Sequence, residues 1–422
     1  MEESAAGGYE LLDPERAIAY VAARPELAAH LDVSAVEDVR ELSDGNLNLV
    51  FLLRDRSGGG LVLKQALPYV RVDPTWPMTP ERARHEALAL RLHGELAPGG
   101  VPALYGFDAG RYVLALEDLS DHVVWRTALN RGERHEGAAG DLGRYVARTA
   151  FGSSVLGRDP LEQKLLLAEA VNPELCQITE DLVLTEPFVE HDHNTYLPQL
   201  ADDVRALAAD PVVRRRIGAA KVAFMTKAQA LLHGDLHTGS VLVRAGGDGE
   251  PRSTRAFDSE FAFYGPIGFD LGTLWANFVL AAARSLALDD RAQADWLLGL
   301  LDESWSAFES ELRRLWPQRH DPRILDDTVL EDLLDEIAVD TLVFAAAEAT
   351  RRIVGFAKVS DIESLPEDLR VGAARGALAA ARLLAHEPVR RPDPRLLAAR
   401  IGDVLEAAAS GGMSSLGYLK RP

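Results

Sequence analysis

Hydrophobic periodicity changes once along this chain, and the change comes near residue 120. Before it, short apolar runs bounded by glycine-containing turns are typical of strands, at 36–42, 49–55 and 61–66. After it, apolar residues recur mostly at helical spacing. Strands followed by helices favour an α+β fold over alternating strands and helices. We therefore predict two lobes, a small β-rich N-lobe (1–117) and a larger, mainly helical C-lobe (118–422).

Local signals refine this prediction within each lobe. In the N-lobe we expect a helix from Pro14 to about His30, a proline-rich loop over 68–80 and a helix over 81–96. In the C-lobe we expect one β-hairpin among the helices, because 240–244 and 254–259 flank a turn-rich segment.

The composition excludes several classes of function. The 422 residues carry a formal net charge of −20, which argues against a sequence-independent grip on nucleic acid or on an anionic membrane. The single cysteine, Cys176, rules out an internal disulfide and a cysteine-rich zinc site. The first residues show no signal-peptide pattern, and no apolar run has the length of a membrane span. We expect a cytoplasmic protein without a nucleic-acid or membrane partner.

The stretch LLHGDLHTGSVLV (231–243) carries the first candidate for chemistry. It places Asp235 on a loop just before an apolar strand, where a carboxylate can orient an attacking hydroxyl and accept its proton. A kinase-like catalytic loop would have an asparagine five residues later as a metal ligand, and this chain has Ser240. The tripeptide HGD also occurs in ordinary turns, so the interpretation depends on its neighbours.

Two acidic residues at the far end of the predicted hairpin supply such neighbours. Asp258 and Glu260 are spaced i and i+2, which on a strand directs both side chains the same way. Adjacent carboxylates repel one another unless a cation lies between them, and Mg²⁺ prefers oxygen ligands. We predict that they hold Mg²⁺ and that Glu260 supplies the oxygen that Ser240 does not. The alternative is a solvated strand end.

Lys64 lies in the third predicted strand, and a lysine in a buried strand needs an anionic partner. In kinases that partner is a phosphate together with a glutamate of a helix. Glu86 is the expected glutamate here, with Glu81 as the alternative. A lysine that extends from a strand end into water would account for the same residue.

Two further features have more than one interpretation. The turn within SDGNLNLVF (43–51) can lay backbone N–H groups over phosphates, but its single glycine fits a plain hairpin better. Arg351 and Arg352 follow an apolar helical run. Paired guanidinium groups suit phosphates and vicinal hydroxyls, whereas the alternative is that they are surface charges.

In their order along the chain, these motifs resemble the 5-methylthioribose kinase family, in the aminoglycoside phosphotransferase and choline kinase-like group. The matching stretches are DGNLNLVF (44–51), KQALPYVRV (64–72), WP (76–77), LEDLSDH (116–122), HGDLHTGS (233–240), EFAFYGPIGFDLG (260–272) and RRIVG (351–355). The resemblance implies a two-lobed protein-kinase-like fold with ATP between the lobes. It departs from the family pattern at Ser259, where proline is expected, and at GFAKVSD (355–361).

The resemblance also implies an activity and a set of site residues. The activity is Mg²⁺-dependent transfer of the ATP γ-phosphoryl group to the anomeric hydroxyl of 5-methylthioribose, in methionine salvage, by a homodimer. The implied residues are Asp235 as base, Asp258 and Glu260 as metal ligands, Asn46, Lys64, Glu117 and Leu119 for ATP, and Arg351 and Arg352, with Asp235, for the sugar. Asn48 is implied in the phosphate loop, and Trp76 in a loop near the active site.

Two rival functions remain at this level. A kinase of the same fold can act on another 5-deoxypentose, an amino alcohol or an aminoglycoside, although cationic acceptors need an acidic pocket and paired arginines favour a neutral polyol. A nucleotide-binding pseudoenzyme is expected to lack the base or a metal ligand, and Asp235, Asp258, Glu260 and Lys64 are all present.

Overall fold

The computed structural model describes residues 9–42, 47–71, 73–247, 249, 251–388 and 390–411. Within them, a small sheet near the N-terminus precedes a large helical region. This confirms the predicted α+β, two-lobed protein-kinase-like fold. None of the described helices is both long and apolar enough to cross a membrane.

The sheet region contains two helices and most of the strands. The helices are α1 (Pro14–Ala22) and α2 (Arg82–Leu96). The strands are β1 (Val36–Glu41), β2 (Asn48–Asp55), β3 (Gly60–Ala66), β4 (Tyr69–Val70), β5 (Asp73–Pro77), β6 (Leu104–Asp108) and β7 (Val113–Glu117).

Five of these strands form one antiparallel sheet in the order β1-β2-β3-β7-β6. Side chains alternate between its two faces, as strand geometry requires. Leu61 and Leu63 of β3 pack in a core with Ala17 of α1. Ala66 of the same strand packs with Ala87 of α2 on the opposite face. The alternation therefore turns the even-numbered positions of β3 towards α2.

The first helix starts where predicted but ends early, at Ala22 and not near His30. Its start is confirmed, because Asp13 accepts a hydrogen bond from the Arg16 N–H at 2.8 Å. Pro25 prevents the predicted extension. It holds Arg24 in an extended conformation and opens a separate 3₁₀ turn.

Two other differences concern strands. The segment 68–80, predicted as a loop, contains the short β4–β5 hairpin. β6 has no counterpart among the predicted strands. Each of its residues is partly buried, so it lacks the alternating pattern by which strands with one buried face are recognised.

Helices make up most of the remaining chain. They are α3 (Trp125–Asn130), α4 (Ala138–Ser153), α5 (Pro160–Glu169), α6 (Pro173–Leu182), α7 (Ala201–Ala209), α8 (Pro211–Thr226), α9 (Gly268–Ala287), α10 (Arg291–Leu315), α11 (Asp327–Val354), α12 (Ser360–Glu363), α13 (Glu367–His386) and α14 (Pro394–Ala409). The interspersed strands are β8 (Val123–Val124), β9 (Ala230–Leu231), β10 (Val241–Arg244), β11 (Ser253–Ala256) and β12 (Tyr264–Gly265).

The helical core is organised around α9, which is buried over most of its length and packs against α10, α11 and α13. A helix that is apolar on nearly all sides belongs in the centre of such a bundle. The predicted hairpin is confirmed as β10–β11, although β11 ends at Ala256, before the predicted end. The segment that follows the hairpin reaches the sheet, where Asp258 contacts Lys64 of β3.

Candidate active site

The predicted lysine and glutamate form a buried ion pair. Lys64 Nζ lies 2.7 Å from Oε2 of Glu86, and both side chains are less than a tenth exposed. Glu81, the alternative partner, instead accepts a hydrogen bond from the Tyr112 hydroxyl at 2.9 Å. The interpretation of Lys64 as a strand-end lysine in water is therefore wrong.

Asp258 approaches the same ammonium group from the segment that follows the hairpin. Its Oδ1 accepts a hydrogen bond from Lys64 Nζ, while 41% of its side chain is exposed. Burial disfavours both charged forms, but the attraction outweighs it. Asp258 and Glu86 raise the pKa of Lys64, and Lys64 lowers the pKa of Asp258. The ammonium thus connects the sheet with the hairpin.

Asp258 and Glu260 do lie together, but for a different reason from the one predicted. Glu86, Asp258 and Glu260 each present a carboxylate oxygen within 4.8 Å of the others. The strand has already ended at Ala256, and Asp258 has a left-handed φ of +67°. A turn, and not strand alternation, brings the carboxylates together. Three clustered oxygen ligands have the chemistry that suits Mg²⁺.

Glu260 has a cationic partner, Arg82, which was not among the predicted residues. Arg82 is fully buried, and its Nε donates to Oε2 of Glu260 at 2.9 Å. Its Nη1 donates to the carbonyls of Leu67 (2.8 Å) and Thr79 (2.7 Å). Burial, together with Asp258, nevertheless raises the pKa of Glu260. Arg82 lies one helical turn before Glu86, and this spacing is the signal that could have found it.

Asn48, implied in the phosphate loop, is instead the first residue of β2. It is buried, and its Nδ2 donates to Oε2 of Glu260 at 3.2 Å. Asn46, the other implied phosphate-loop residue, lies outside the described residues. The phosphate-loop prediction for 43–46 therefore stays a prediction.

The loop that carries Asp235 is held by the first turn of α9. Asp270 accepts hydrogen bonds from the N–H groups of His233 (2.8 Å) and Gly234 (3.0 Å). Gly234 has a φ of +83°, and a Cβ there would lie 2.2 Å from the carbonyl oxygen of Phe261. Glycine is therefore required, and the buried helix fixes the loop through its backbone.

Asp235 is 27% exposed and makes long polar contacts with the described residues. Arg351 Nη2 lies 3.4 Å from its Oδ1, and His237 Nε2 lies 3.4 Å from its Oδ2. The hydroxyl of Ser240 lies 3.1 Å from His237 Nδ1. Burial, reinforced by Arg126, holds the pKa of His237 well below its usual value, so the ring is neutral. The ring therefore turns Nδ1 towards the Ser240 hydroxyl and Nε2 towards Asp235.

Arg351 and Arg352 are both inside the protein, so their interpretation as surface charges is wrong. Their side chains are 11% and 6% exposed, and both bond to Glu348. Arg351 Nε lies 2.5 Å from one oxygen, and Arg352 Nε lies 2.7 Å from the other. Burial opposes ionisation of Glu348, but the two guanidinium groups lower its pKa to about 2. Of the pair, Arg351 is the one in contact with Asp235.

A third guanidinium group near this loop, Arg126 of α3, was not predicted. Its Nη2 donates to Oδ1 of Asn277 at 2.6 Å, and its Nε lies 3.3 Å from Oδ2 of Asp361. Burial lowers the pKa of Arg126 to about 10 and raises that of Asp361. A Cβ on Gly239 would lie 2.6 Å from Arg126 Nη1, so the arginine packs directly on the Asp235 loop.

The remaining predicted residues lie at the edges of this region. Glu117 ends β7, and its Oε2 accepts a hydrogen bond from the Ala103 N–H at 3.0 Å. Leu119 follows as a buried residue where the chain leaves the sheet. Trp76 packs against His193 and Phe356, with ring centroids 6.3 and 5.9 Å away.

Known proteins with similar sequences identify the family. Residues 38–303 match the phosphotransferase enzyme family. The methylthioribose kinase of Geobacillus kaustophilus (strain HTA426) is 40% identical over 349 residues, which cover 82% of this chain and 86% of that protein. The methylthioribose kinase of Pectobacterium carotovorum subsp. carotovorum (strain PC1) is 36% identical over 379 residues, covering 86% of this chain and 91% of that protein.

Among solved structures, a choline/ethanolamine kinase family protein from Mesorhizobium loti aligns with 93% of this chain and 98% of its own, at a TM-score of 0.43 and 17% identity. The family assignment depends on the two sequence relatives, because each exceeds 35% identity over more than four fifths of both chains. This chain belongs to the methylthioribose kinase family, within the phosphotransferase enzyme family.

Proposed function

We propose that this chain transfers the γ-phosphoryl group of ATP to the anomeric 1-hydroxyl of 5-methylthioribose, giving 5-methylthioribose 1-phosphate and ADP in methionine salvage. The observation that carries the proposal is the convergence of two groups of side chains. Asp235 with Arg351 forms one group, and Lys64 with its carboxylates forms the other. The names of the two sequence relatives point to the same acceptor.

Asp235 acts as the base in this proposal. In-line phosphoryl transfer needs positioning and charge neutralisation more than covalent chemistry, so the base must hold the acceptor hydroxyl in line and accept its proton. The 3.4 Å contacts with Arg351 and His237 leave lone pairs of the carboxylate for that hydroxyl. We infer that the Ser240 hydroxyl donates to His237 Nδ1. The neutral ring then carries its proton on Nε2, which lies 3.4 Å from Oδ2 of Asp235 and helps to position that carboxylate.

Lys64 holds the phosphate groups of ATP, and Glu86 keeps its ammonium in place. Asp258 and Glu260 fit a divalent cation, since they cluster with Glu86 as oxygen ligands. Bound Mg²⁺ supplies neutralisation of the triphosphate charge. Ser240 does not fit a ligand role, because it is 2% exposed and its hydroxyl faces His237. This supports the proposal that Glu260 supplies the oxygen that an asparagine would otherwise supply.

Further roles are proposed from the family resemblance. Glu117 and Leu119 border the adenine where the chain leaves the sheet, and Asn46 belongs to the phosphate loop. Arg351 donates hydrogen bonds from its planar guanidinium group to sugar hydroxyls or to the transferring phosphoryl group, and Arg352 lies beside it. We also propose a cytoplasmic homodimer whose lobes divide at residues 117 and 118. Light scattering during size-exclusion chromatography tests the dimer.

The function is tested with purified protein, ATP and Mg²⁺ in a coupled assay of ADP release. The acceptors to compare are methylthioribose, ribose, 5-deoxyribose, choline and kanamycin. We expect the highest kcat/KM with methylthioribose and a product whose phosphorus resonance couples to the anomeric proton. A preference for choline or kanamycin would support the alternative acceptors. ATP binding without ADP release for any acceptor would support a pseudoenzyme.

A further inference from the structure

A second cluster of metal-ligating side chains lies apart from the carboxylates around Lys64. Glu186, His191 and His193 each present one ligand atom within 4.8 Å of the others. The Nδ1 atoms of His193 and His191 lie 2.9 and 3.5 Å from Oε2 of Glu186. Glu186 is 12% exposed and the two histidines about 40%, so the cluster opens to solvent on the imidazole side. We propose that these three residues bind one Zn²⁺ ion or a similar transition-metal ion.

Two of the three separations between ligand atoms are close to what a zinc ion requires. Zinc takes histidine nitrogen and carboxylate oxygen at about 2.0–2.2 Å in tetrahedral geometry, which places neighbouring ligand atoms about 3.3 Å apart. The observed 2.9 and 3.5 Å lie on either side of this value. Two contacts compete with the ion. His193 Nδ1 is hydrogen-bonded to Glu186 Oε2 at 2.9 Å, and the backbone N–H of His193 donates to His191 Nδ1 at 3.2 Å. The second of these bonds is at the long end of the normal range, and metal binding replaces both.

This cluster and the carboxylate cluster around Lys64 offer different ligand atoms to a metal ion. Two imidazoles and one carboxylate favour zinc, copper or nickel, whereas an all-carboxylate set favours Mg²⁺. Three protein ligands leave the fourth position to water or to an oxygen of a bound molecule.

The loop that carries the ligands is already braced. Asn194 Nδ2 donates to the carbonyls of Glu186 (2.7 Å) and Val189 (2.9 Å). The Thr195 N–H donates to the carbonyl of Val354, at the end of α11, at 2.9 Å. Since these bonds exist before any ion binds, little further ordering of the backbone opposes binding.

The ion site adjoins the proposed acceptor region. The His193 ring stacks on Trp76 with centroids 6.3 Å apart, and Phe356 lies 5.9 Å from both rings. Phe356 follows the arginine pair by four residues. A metal-bound His193 would therefore fix this aromatic trio in place. This consequence rests on the proposed function, and it predicts a change in KM for methylthioribose without a change in nucleotide affinity.

Calorimetric titration of the full chain with Zn²⁺, in excess Mg²⁺ and without ATP or sugar, tests the site independently of catalysis. Excess Mg²⁺ competes for the carboxylate cluster, and the variants below assign the remaining Zn²⁺ binding to the proposed site. We expect one equivalent of Zn²⁺, with affinity at least about 10-fold weaker in His193→Ala and in Glu186→Gln. Glu190→Gln, an exposed acid of the same loop, should bind Zn²⁺ like the wild type. Equal affinity in wild type and His193→Ala would overturn the site.

A second measurement does not depend on the folding of variants. X-ray absorption of the Zn²⁺-loaded wild type should show a four-coordinate ion with two imidazole ligands. A spectrum with oxygen ligands alone would overturn the assignment. For the link to the acceptor, KM for methylthioribose is compared with and without Zn²⁺, in wild type and in Glu190→Gln. An unchanged KM would overturn the link.

Discussion

Asp235, on the acceptor side of the candidate active site, is held differently from the ion pairs on the nucleotide side. On the nucleotide side, Lys64 lies 2.7 Å from Glu86, and Arg82 lies 2.9 Å from Glu260, both deeply buried. On the acceptor side, the contacts of Asp235 are both 3.4 Å long. Short buried pairs fix geometry, whereas long contacts leave a carboxylate able to accept a further hydrogen bond. We infer that the first side is built to hold phosphate and the second to receive a proton.

The largest expected effect tests the acceptor side. Asp235→Asn preserves shape and removes the carboxylate, so we expect phosphoryl transfer to fall by about two to four orders of magnitude. Binding of an ATP analogue, measured by calorimetry, should be retained, because the nucleotide side is unchanged. Turnover near the wild-type rate would remove Asp235 from the mechanism and abolish the contrast between the two sides.

The second prediction tests whether the nucleotide side is a structural ion network. Arg82→Leu leaves Glu260 as a buried charge without its guanidinium partner, so the free energy of unfolding should fall by about 3–5 kcal/mol. Arg84→Leu is the matched control. The Arg84 guanidinium lies 4.0 Å from Glu81, and more than half of the Arg84 side chain is exposed. Such exposed pairs contribute about 0–1 kcal/mol. If urea denaturation gave the same loss of unfolding free energy for Arg82→Leu and Arg84→Leu, the ion network would be contradicted.

The third prediction concerns the arginine pair. Arg351→Lys replaces a planar fork by a point charge next to Asp235, and we expect a loss of about 1.5–3 kcal/mol in kcat/KM for methylthioribose. Arg352→Lys should lose less, since Arg352 bonds Glu348 without contacting Asp235. Nucleotide affinity should stay near the wild-type value in both. Wild-type kcat/KM in Arg351→Lys would confine this arginine to a structural role.

The smallest expected effect comes from Ser240→Ala. This variant tests whether Ser240 acts with His237 and Asp235 or with the proposed metal ligands. Glu260→Gln should raise the Mg²⁺ concentration needed for half-maximal rate severalfold. Ser240→Ala should leave that concentration unchanged and lower kcat by the equivalent of about 0.5–1.5 kcal/mol, the contribution of a hydrogen bond. Its pH–rate profile should also change, because His237 would no longer be held in one tautomer next to Asp235. A raised Mg²⁺ requirement in Ser240→Ala would place this serine on the metal side instead.

Sequence patterns predict those site residues whose role follows from their neighbours in the sequence. Lys64 was predicted from a strand and Asp235 from a loop, and the structure gives both the expected surroundings. The roles of Arg82 and Arg126 depend on partners that lie 178 and 151 residues away along the chain, Glu260 and Asn277. Of the two arginines, Arg82 has a local signal as well, its spacing of one helical turn from Glu86. A guanidinium group on a helix looks like a surface charge until tertiary packing brings such a partner to it.

The fold shows the same division between local and distant causes. The start of α1 follows from its own cap, whereas the predicted end near His30 is wrong because Pro25 stops the helix. The strand β6 could not be predicted from alternation, because packing on both sides leaves all its residues partly buried. Asp258 and Glu260 lie together as predicted, but the left-handed backbone at Asp258, and not strand alternation, joins them.

The contact between Lys64 and Asp258 has a thermodynamic consequence. In the proposed function, the carboxylate of Asp258 competes with the triphosphate for the same ammonium group, because it already accepts a hydrogen bond from Lys64. A nucleotide that draws Nζ away frees Asp258 for a cation, and a cation on Asp258 frees Nζ for a nucleotide. Because such linkage is reciprocal, each ligand raises the affinity for the other by the same factor. We therefore expect this one ion pair to make the proposed nucleotide and Mg²⁺ binding positively cooperative, in addition to any direct contact between the two ligands.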